Sequence, residues 1–411
     1  MKILQLCKKF PYPLKDGESV AIYNMAKGLS AAGAEIHLFC VNTLKHFFDP
    51  AELPSAYNPY SSITSVTLDT RVTWTGALLN LFSKKSYHVE RFQSEKVSTA
   101  LRKLLEQEEF DLVQIEGVHL AGYAPIIRQY SSAEVALRTH NLEFQIWERI
   151  AARTKPGLKR WYIRYLTKKL KAYEVACLQA TDFLVPISSQ DFEQFVSLGY
   201  EGKHCLCPIG IDPGEYLPAP QKRDTFSVYF LGSLDWLPNL EGIQWFVSAV
   251  WPIFWQRHHG AVLHLAGRNM PEWMFSLSGK GIRVHGEVPD AIEYMNQYAV
   301  MVVPLFSGSG MRAKIIEAMA LGRTVVTTPL GLEGIPGQDG VSVCLASTAE
   351  EFVVQLERLL RDPQRAVQIG QAGRSLVLDH FRADAIAKSL LDAYRSWLEG
   401  RLTPQMPQVH G

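Results

Sequence analysis

Cysteine is scarce in this chain of 411 residues: Cys7, Cys40, Cys177, Cys205, Cys207 and Cys344 are scattered, and no Cys-x-x-Cys pair occurs. Neither a zinc site nor a disulfide framework is expected from such spacing. Cys7 and Cys40 lie inside apolar runs, where a free thiol behaves as a small hydrophobe. Long apolar runs are missing as well. No stretch approaches the roughly 20 apolar residues of a spanning helix, and the opening MKILQLCKKF is too short in apolar character for a signal peptide. A reducing, cytoplasmic setting is the expectation. An excess of one charge is also lacking, with 42 Lys and Arg against 41 Asp and Glu, which argues against a broad nucleic-acid surface. Tandem repeats and low-complexity tracts are absent. What is present is a core-forming mixture, 47% hydrophobic and 20% charged, so general disorder is excluded. At about 150 residues per domain, the length predicts two to three domains.

Short β-branched runs alternate with helical patterns. Residues 2–7, 35–41, 112–115, 135–138 and 183–187 read as strands, and Ala21–Ala32 reads as a helix ending at Gly33. This beat predicts a parallel sheet covered by helices on both faces. It pauses at a turn-rich stretch from Pro208 to Pro220 and restarts with strands at 226–231, 262–266, 300–305 and 324–327. The pause predicts a hinge near 208–220 between two α/β domains, 1–212 and 213–383. Ligands of such sheets sit at the carboxyl ends of the strands, so a cleft between two facing sheets is expected. The chain from about Arg365 has helical spacing, and its polar, Pro-containing end is expected to fray.

The most informative segment is Pro304-Leu-Phe-Ser-Gly-Ser-Gly-Met-Arg-Ala-Lys-Ile-Ile-Glu-Ala-Met-Ala-Leu-Gly322. A buried strand runs into a loop with Gly308 and Gly310, and a helix is expected to begin near Met311. Arg312 and Lys314 then fall in its first turn and Glu317 a turn further in. Cations in a first turn oppose the helix dipole, whereas an anionic ligand such as a diphosphate would justify them. Glu317 is placed to accept hydrogen bonds from sugar or ribose hydroxyls. The plain alternative is a solvated turn with a Lys314–Glu317 pair contributing about 0.2–0.5 kcal/mol.

This segment, with Gly322 and Thr324-Val-Val-Thr327 after it, resembles the EAMA helix of family 4, group 1 type, glycosyltransferases. The resemblance covers nearly the whole chain. Phe10-Pro-Tyr-Pro13 with Asp16-Gly17 is similar to the family's N-terminal donor loop, Pro208-Ile-Gly-Ile-Asp212 to its hinge, Leu231-Gly-Ser-Leu234 to the first turn of its second domain, and His285-Gly-Glu-Val288 to the segment that packs on the nucleotide base. The resemblance implies an α/β GT-B fold, two Rossmann-like parallel-sheet domains facing across a cleft. It implies that the last helix, within 384–411, packs back on the first domain. It also implies a nucleotide-diphosphate sugar as donor substrate, retention at the anomeric carbon, and no metal or other cofactor. Donor contacts would come from Gly17, Gly232, Ser233, Val288, Ser309, Gly310 and Met311, and the groups nearest the reaction would be Arg312, Lys314, Glu317 and His140.

Two departures stand out. The family's paired Glu residues are eight positions apart, but here Ser309 precedes Glu317. Its Arg, with a Lys five residues later, is replaced by Ser233 and Pro238. Arg312 and Lys314 can supply that charge from the opposite wall, because donor phosphates need cations but not a fixed address.

Arg138-Thr-His-Asn-Leu-Glu143 follows an expected strand and resembles the segment whose His reaches the sugar. His140 is thus expected to meet donor hydroxyls or shape the acceptor site, the alternative being that His140 and Asn141 only complete a turn. Glu116 and His119, after the 112–115 run, are expected to touch acceptor or to form a loop salt link, and Asn141 joins them as an acceptor candidate. Asp16-Gly17-Glu18 lacks the G-x-G-x-x-G of a dinucleotide fold, which argues against a dehydrogenase.

Residues 155–171 hold Lys155, Lys159, Arg160, Arg164, Lys168, Lys169 and Lys171 with no acid among them. Leu158, Trp161, Tyr162, Tyr165 and Leu166 recur at helical spacing. Such a helix either lies on an anionic membrane surface, where each cation near the lipid contributes about 1 kcal/mol, or packs its stripe in the core with solvated cations. The expected activity is sugar transfer to a hydroxyl of a glycan or lipid-linked acceptor in cell-surface polysaccharide biosynthesis. A non-catalytic GT-B subunit and a nucleotide-sugar epimerase are the alternatives.

Overall fold

The computed structural model describes residues 1–14, 16–83, 85–219 and 226–400. The expected fraying beyond Gly400, and Pro220 of the expected hinge, lie outside the described residues. The chain divides into two compact units, Met1–Gly210 with the chain from Ala383 onward, and Ile211–Arg382.

The first unit is built on seven strands: β1 (Lys2–Cys7), β2 (Glu35–Thr43), β3 (Ser62–Leu68), β4 (Leu112–Glu116), β5 (Glu134–Thr139), β6 (Phe183–Pro186) and β7 (Lys203–His204). Their order is β3-β2-β1-β4-β5-β6-β7, with every pair parallel. Alternate residues serve opposite faces: Leu4 and Leu6 join one core, Ile3 and Cys7 the other. The second core is closed by the helices Gly17–Ala31 and Ala383–Leu398, through Ile22, Met25 and Ala26 from one and Leu390, Tyr394 and Trp397 from the other. Gly28 lets these helices meet, since a Cβ there would stand 2.5 Å from that of Ala387.

The second unit holds β8 (Ser227–Leu231), β9 (Val262–Ala266), β10 (Ile282–Gly286), β11 (Val300–Val303), β12 (Thr324–Thr327) and β13 (Cys344–Leu345), in the order β10-β9-β8-β11-β12-β13 and again parallel throughout. Val228, Phe230, Leu263, Leu265, Val300 and Val302 pack with Phe246, Trp251 and Phe352 from covering helices. Each sheet reverses its direction of winding once, between β1 and β4 in the first and between β8 and β11 in the second. Those reversals leave crevices at the carboxyl ends of the strands, where ligands of open α/β sheets bind.

Among the described residues, no helix is long and apolar enough to cross a membrane. Apart from residues 155–157, the basic stretch lies in one helix, Leu158–Gln179, whose Leu170, Cys177 and Leu178 enter the first core.

Candidate functional site

In the second unit, the loops after β8 and β11 meet at the winding reversal. The β11 loop needs glycine twice, because Gly308 and Gly310 have φ of 103° and 76°, a region other residues enter at a steric cost. A Cβ on Gly308 would also press on the Trp236 ring at 3.0 Å. The helix after this loop is Ala313–Ala320, so it starts two residues later than expected and Arg312 is its N-cap rather than a first-turn residue. Arg312 is buried. Its guanidinium bonds the carbonyls of Ser309 and Gly310, stands 5.9 Å from the centre of the Trp236 ring and 3.9 Å from the Glu333 carboxylate. It therefore shapes the loop through that loop's own carbonyls, besides bringing charge to it.

Lys314 crosses to the other wall. Its Nζ donates to Asn239 Oδ1, lies 4.7 Å from the centre of the Phe230 ring, and would stand 2.9 Å from a Cβ on Gly232. Burial, with the Arg312 charge beside it, lowers the Lys314 pKa to about 7. Asn239 is held in turn by donating to the Ser233 carbonyl at 2.8 Å, and Ser233 Oγ donates to Asp235 at 2.6 Å. Glu317 accepts a 3.0 Å bond from the Tyr216 hydroxyl, and Lys314 bonds Asn239 rather than making the Lys314–Glu317 pair of the plain alternative. Burial pushes the Glu317 pKa up, and the Tyr216 bond and Lys314 oppose the rise. Ser309, within the loop, and Met311, at its end, are both buried. Val288 follows β10, whose end is tied to β9 by Gly267 N–H donating to the Gly286 carbonyl at 2.8 Å. Gly267 also approaches so closely that a Cβ would fall 1.8 Å from the Gly232 carbonyl oxygen. The ends of β10, β9, β8 and β11 thus form one continuous rim carrying Val288, Gly232, Ser233, Ser309, Gly310 and Met311.

The first unit brings a different set together. Glu116 ends β4 fully buried. It accepts from Gln5 at 2.8 Å and Gln114 at 2.6 Å, pairs with Arg138 at 3.2 Å, and meets His140 Nε2 at 2.7 Å. Burial opposes its charge, but Arg138 and His140 outweigh burial and hold its pKa at about 2. Glu116 is thus an interior residue that orients His140, not an exposed acceptor contact. At the end of β1, Lys8 Nζ bridges Glu18 at 3.1 Å and His119 Nδ1 at 3.4 Å, while Lys9 pairs with Asp16 at 2.6 Å and Glu18 at 3.3 Å. Burial first, then the Lys8 charge, keeps His119 well below the usual imidazole range. Gly17 opens the helix Gly17–Ala31, which Asp16 caps by accepting from Ser19 N–H. Asn141 lies between His140 and the helix Glu143–Arg153, whose first N–H groups are capped by the buried Glu174.

Asn239, Tyr216, Trp236, Lys8, Lys9 and Glu18 were not among the sequence candidates for a role. Lys8 and Lys9 follow an apolar strand directly, a visible signal. Tyr216 lies 101 residues from Glu317, a partnership that no local pattern reveals. Among the described residues, no cluster of three His, Cys, Asp or Glu side chains is placed to hold a metal ion.

Two Rossmann-like parallel-sheet domains of this kind make up the GT-B fold, and solved structures of that fold match almost the whole chain. Residues 225–362 match the family described as glycosyl transferases group 1. Sucrose-phosphate synthase from Thermosynechococcus elongatus is similar with a TM-score of 0.72 at 18% identity, covering 97% of this chain and all of its own. HepE of Anabaena, solved in complex with UDP, is similar with a TM-score of 0.67 at 14% identity, covering 96% of this chain and all of its own. In sequence, an "uncharacterized 44.6 kDa protein in cps region" of Klebsiella pneumoniae is 20% identical, over 95% of this chain and 98% of that protein.

Proposed function

We propose that the protein is a retaining glycosyltransferase that moves a sugar from a nucleotide-diphosphate donor to a hydroxyl of a glycan or lipid-linked acceptor in cell-surface polysaccharide biosynthesis. The observation that carries this reading is the meeting of Arg312, Lys314 and the Gly308–Gly310 loop at the winding reversal of the second sheet. The family match over residues 225–362 and the UDP and UDP-glucose complexes of HepE support it. In this reading the diphosphate lies at the start of the helix Ala313–Ala320, Val288 packs on the base, and Glu317 holds ribose hydroxyls. Gly232, Ser233, Ser309, Gly310 and Met311 line the donor.

The bond from the anomeric carbon to the diphosphate breaks while a new one forms to the acceptor oxygen on the same face. The acceptor proton passes to the departing phosphate oxygen. Charge grows on the diphosphate as that bond breaks, so the two cations and the loop N–H groups stabilise the transition state more than the ground state. Arg312 and Lys314 take the charge-neutralising part that a divalent ion plays elsewhere. The first unit holds the acceptor in this reading, with His140 fixed by Glu116 and with His119 and Asn141 as acceptor contacts, while Gly17 is a donor contact.

A second reading, a GT-B subunit that binds glycan without catalysis, is favoured by Ser309 and Ser233 standing where the family has a carboxylate and an Arg. Assay of the full chain against a panel of nucleotide sugars with glycan acceptors decides between them. Transfer that disappears in the Arg312→Ala, Lys314→Ala double variant supports the enzyme. Transfer unchanged in that variant sinks the site assignment, and donor binding with no transfer favours the subunit.

A further inference from the structure

Sugar transfer leaves one surface of the first unit without a role. The helix Leu158–Gln179 is anchored by its later turns, but its first turns carry Leu158 at 86% exposure and Trp161 at 59%. A second short element lies against it, the helix Trp74–Leu79 continuing into a turn of 3-10 helix, Asn80–Phe82. Polar bonds fasten the two together: Tyr165 Oη donates to the Leu81 carbonyl and Lys169 Nζ to the Asn80 carbonyl, each at 2.7 Å. With its backbone so held, this element turns Leu78, Leu79 and Phe82 outward at 62%, 72% and 92% exposure. Single exposed hydrophobics are ordinary, but five large ones on two fastened elements are not.

The chemistry around them names the partner. Lys155, Lys159, Arg164 and Lys168 are exposed on or just before the longer helix, and no acid interrupts residues 155–171. Trp161 stacks on Tyr165 with ring centres 5.7 Å apart, forming an aromatic ridge between the cations. Along one flank, Arg164, Lys168 and Lys171 line a groove of about 340 Å³ in which Glu148 is the one acid, so three cations face one carboxylate. A second copy of this chain would bring the same cations face to face. An anionic bilayer takes both parts at once, apolar tips at the headgroup boundary and ammonium or guanidinium groups among the phosphates.

We propose that residues 74–82 and the first turns of the helix Leu158–Gln179 together dock the protein on an anionic phospholipid surface. Flotation of the full chain with vesicles tests this, using phosphatidylcholine alone or mixed with phosphatidylglycerol. Binding is expected to the mixed vesicles only and to weaken as salt rises. The triple variant Lys155→Glu, Lys159→Glu, Lys168→Glu is expected to lower partition about a hundredfold or more. Leu79→Ser with Phe82→Ser, which leaves every charge in place, is expected to lower it about tenfold or more. All five side chains are exposed, so unchanged melting temperatures are expected to show both variants folded. Equal binding to neutral vesicles, no binding by the unaltered chain, or undiminished binding by either variant overturns the proposal. So does a concentration-dependent dimer that Leu79→Ser with Phe82→Ser abolishes, which would give the face to a second copy.

Discussion

Lys314 Nζ donates to Asn239 Oδ1 across the winding reversal of the second sheet, joining the helix that follows β11 to the helix that follows β8. The bond satisfies an ammonium group that burial would otherwise leave costly, and it holds the charge against the Gly232 turn. A lysine kept near neutrality here is ready to gain a full charge when an anion arrives.

The affinity for a nucleotide-diphosphate sugar should therefore fall as pH rises above about 7. The free Lys314 pKa is about 7, and bound phosphates would raise it, so binding takes up a proton between the two values. Affinity is then flat below the free pKa and declines by up to about tenfold per pH unit above it, until the bound pKa is passed. Lys314→Met should bind more weakly and lose that decline. Titration calorimetry in buffers of different ionisation enthalpy measures both the affinity and the proton uptake. An affinity constant from pH 6 to pH 9 in the unaltered protein would remove Lys314 from the anion site.

Glu116 makes the first unit sensitive to acid. Its folded pKa, about 2, lies below the ordinary 4.5, so its contribution to stability is complete above the unfolded value. That contribution is lost as pH falls from about 4.5 toward about 2. Glu116→Ala leaves the fully buried Arg138 without its carboxylate, a loss that typically costs about 3–5 kcal/mol. Denaturant unfolding at pH 7 and pH 3 checks the pair of expectations. The variant should be much weaker at pH 7 and should lose less on going to pH 3.

How far the sequence reveals this arrangement depends on where each cue is stored. The buried strands β1, β2, β9 and β12 announce themselves because both faces of a parallel sheet demand apolar, β-branched runs. β10 does not: as an edge strand it exposes Arg283 and His285, and its polar alternation hides it. The Gly308 and Gly310 loop is legible through its glycines, yet nothing local tells that Arg312 turns back onto its own loop carbonyls. Tyr216 to Glu317, Asn239 to Lys314 and Lys8 to His119 are contacts between distant parts of the chain, set by the winding of the sheets rather than by spacing.

Gly242 tests whether the two walls of the second-unit site are tightly joined. It lies in the helix Leu237–Trp245, and a Cβ there would fall 1.8 Å from the Pro304 carbonyl oxygen. Alanine gains about 1 kcal/mol of helix propensity, but the obstacle is main chain and cannot rotate away, and overpacking of this kind costs about 1–3 kcal/mol or more. Gly242→Ala should therefore lower stability in denaturant titration. It should also weaken nucleotide binding, because Pro304 begins the loop that carries Gly308 and Gly310. Equal stability and affinity in the variant would show that this loop yields freely.

The Tyr216 hydroxyl should matter through Glu317 alone. It donates to Glu317 Oε1 at 3.0 Å, and that bond restrains the rise that burial imposes on the carboxyl pKa. Tyr216→Phe removes the donor, moves Glu317 toward its neutral form and frees it to turn. Hydrogen bonds to charged groups contribute about 1.5–3 kcal/mol, so nucleoside diphosphate affinity should drop about tenfold or more if Glu317 holds ribose hydroxyls. Inorganic pyrophosphate, which has no ribose, should bind the variant as it binds the unaltered protein. Glu317→Gln should show the same selectivity, and the double variant should be little worse than either single one. A coupling of about 0.5–3 kcal/mol in that cycle is what contacting residues give. Strictly additive losses would separate Tyr216 from Glu317, and an equal loss of pyrophosphate would move Glu317 from the ribose to the phosphate end of the site.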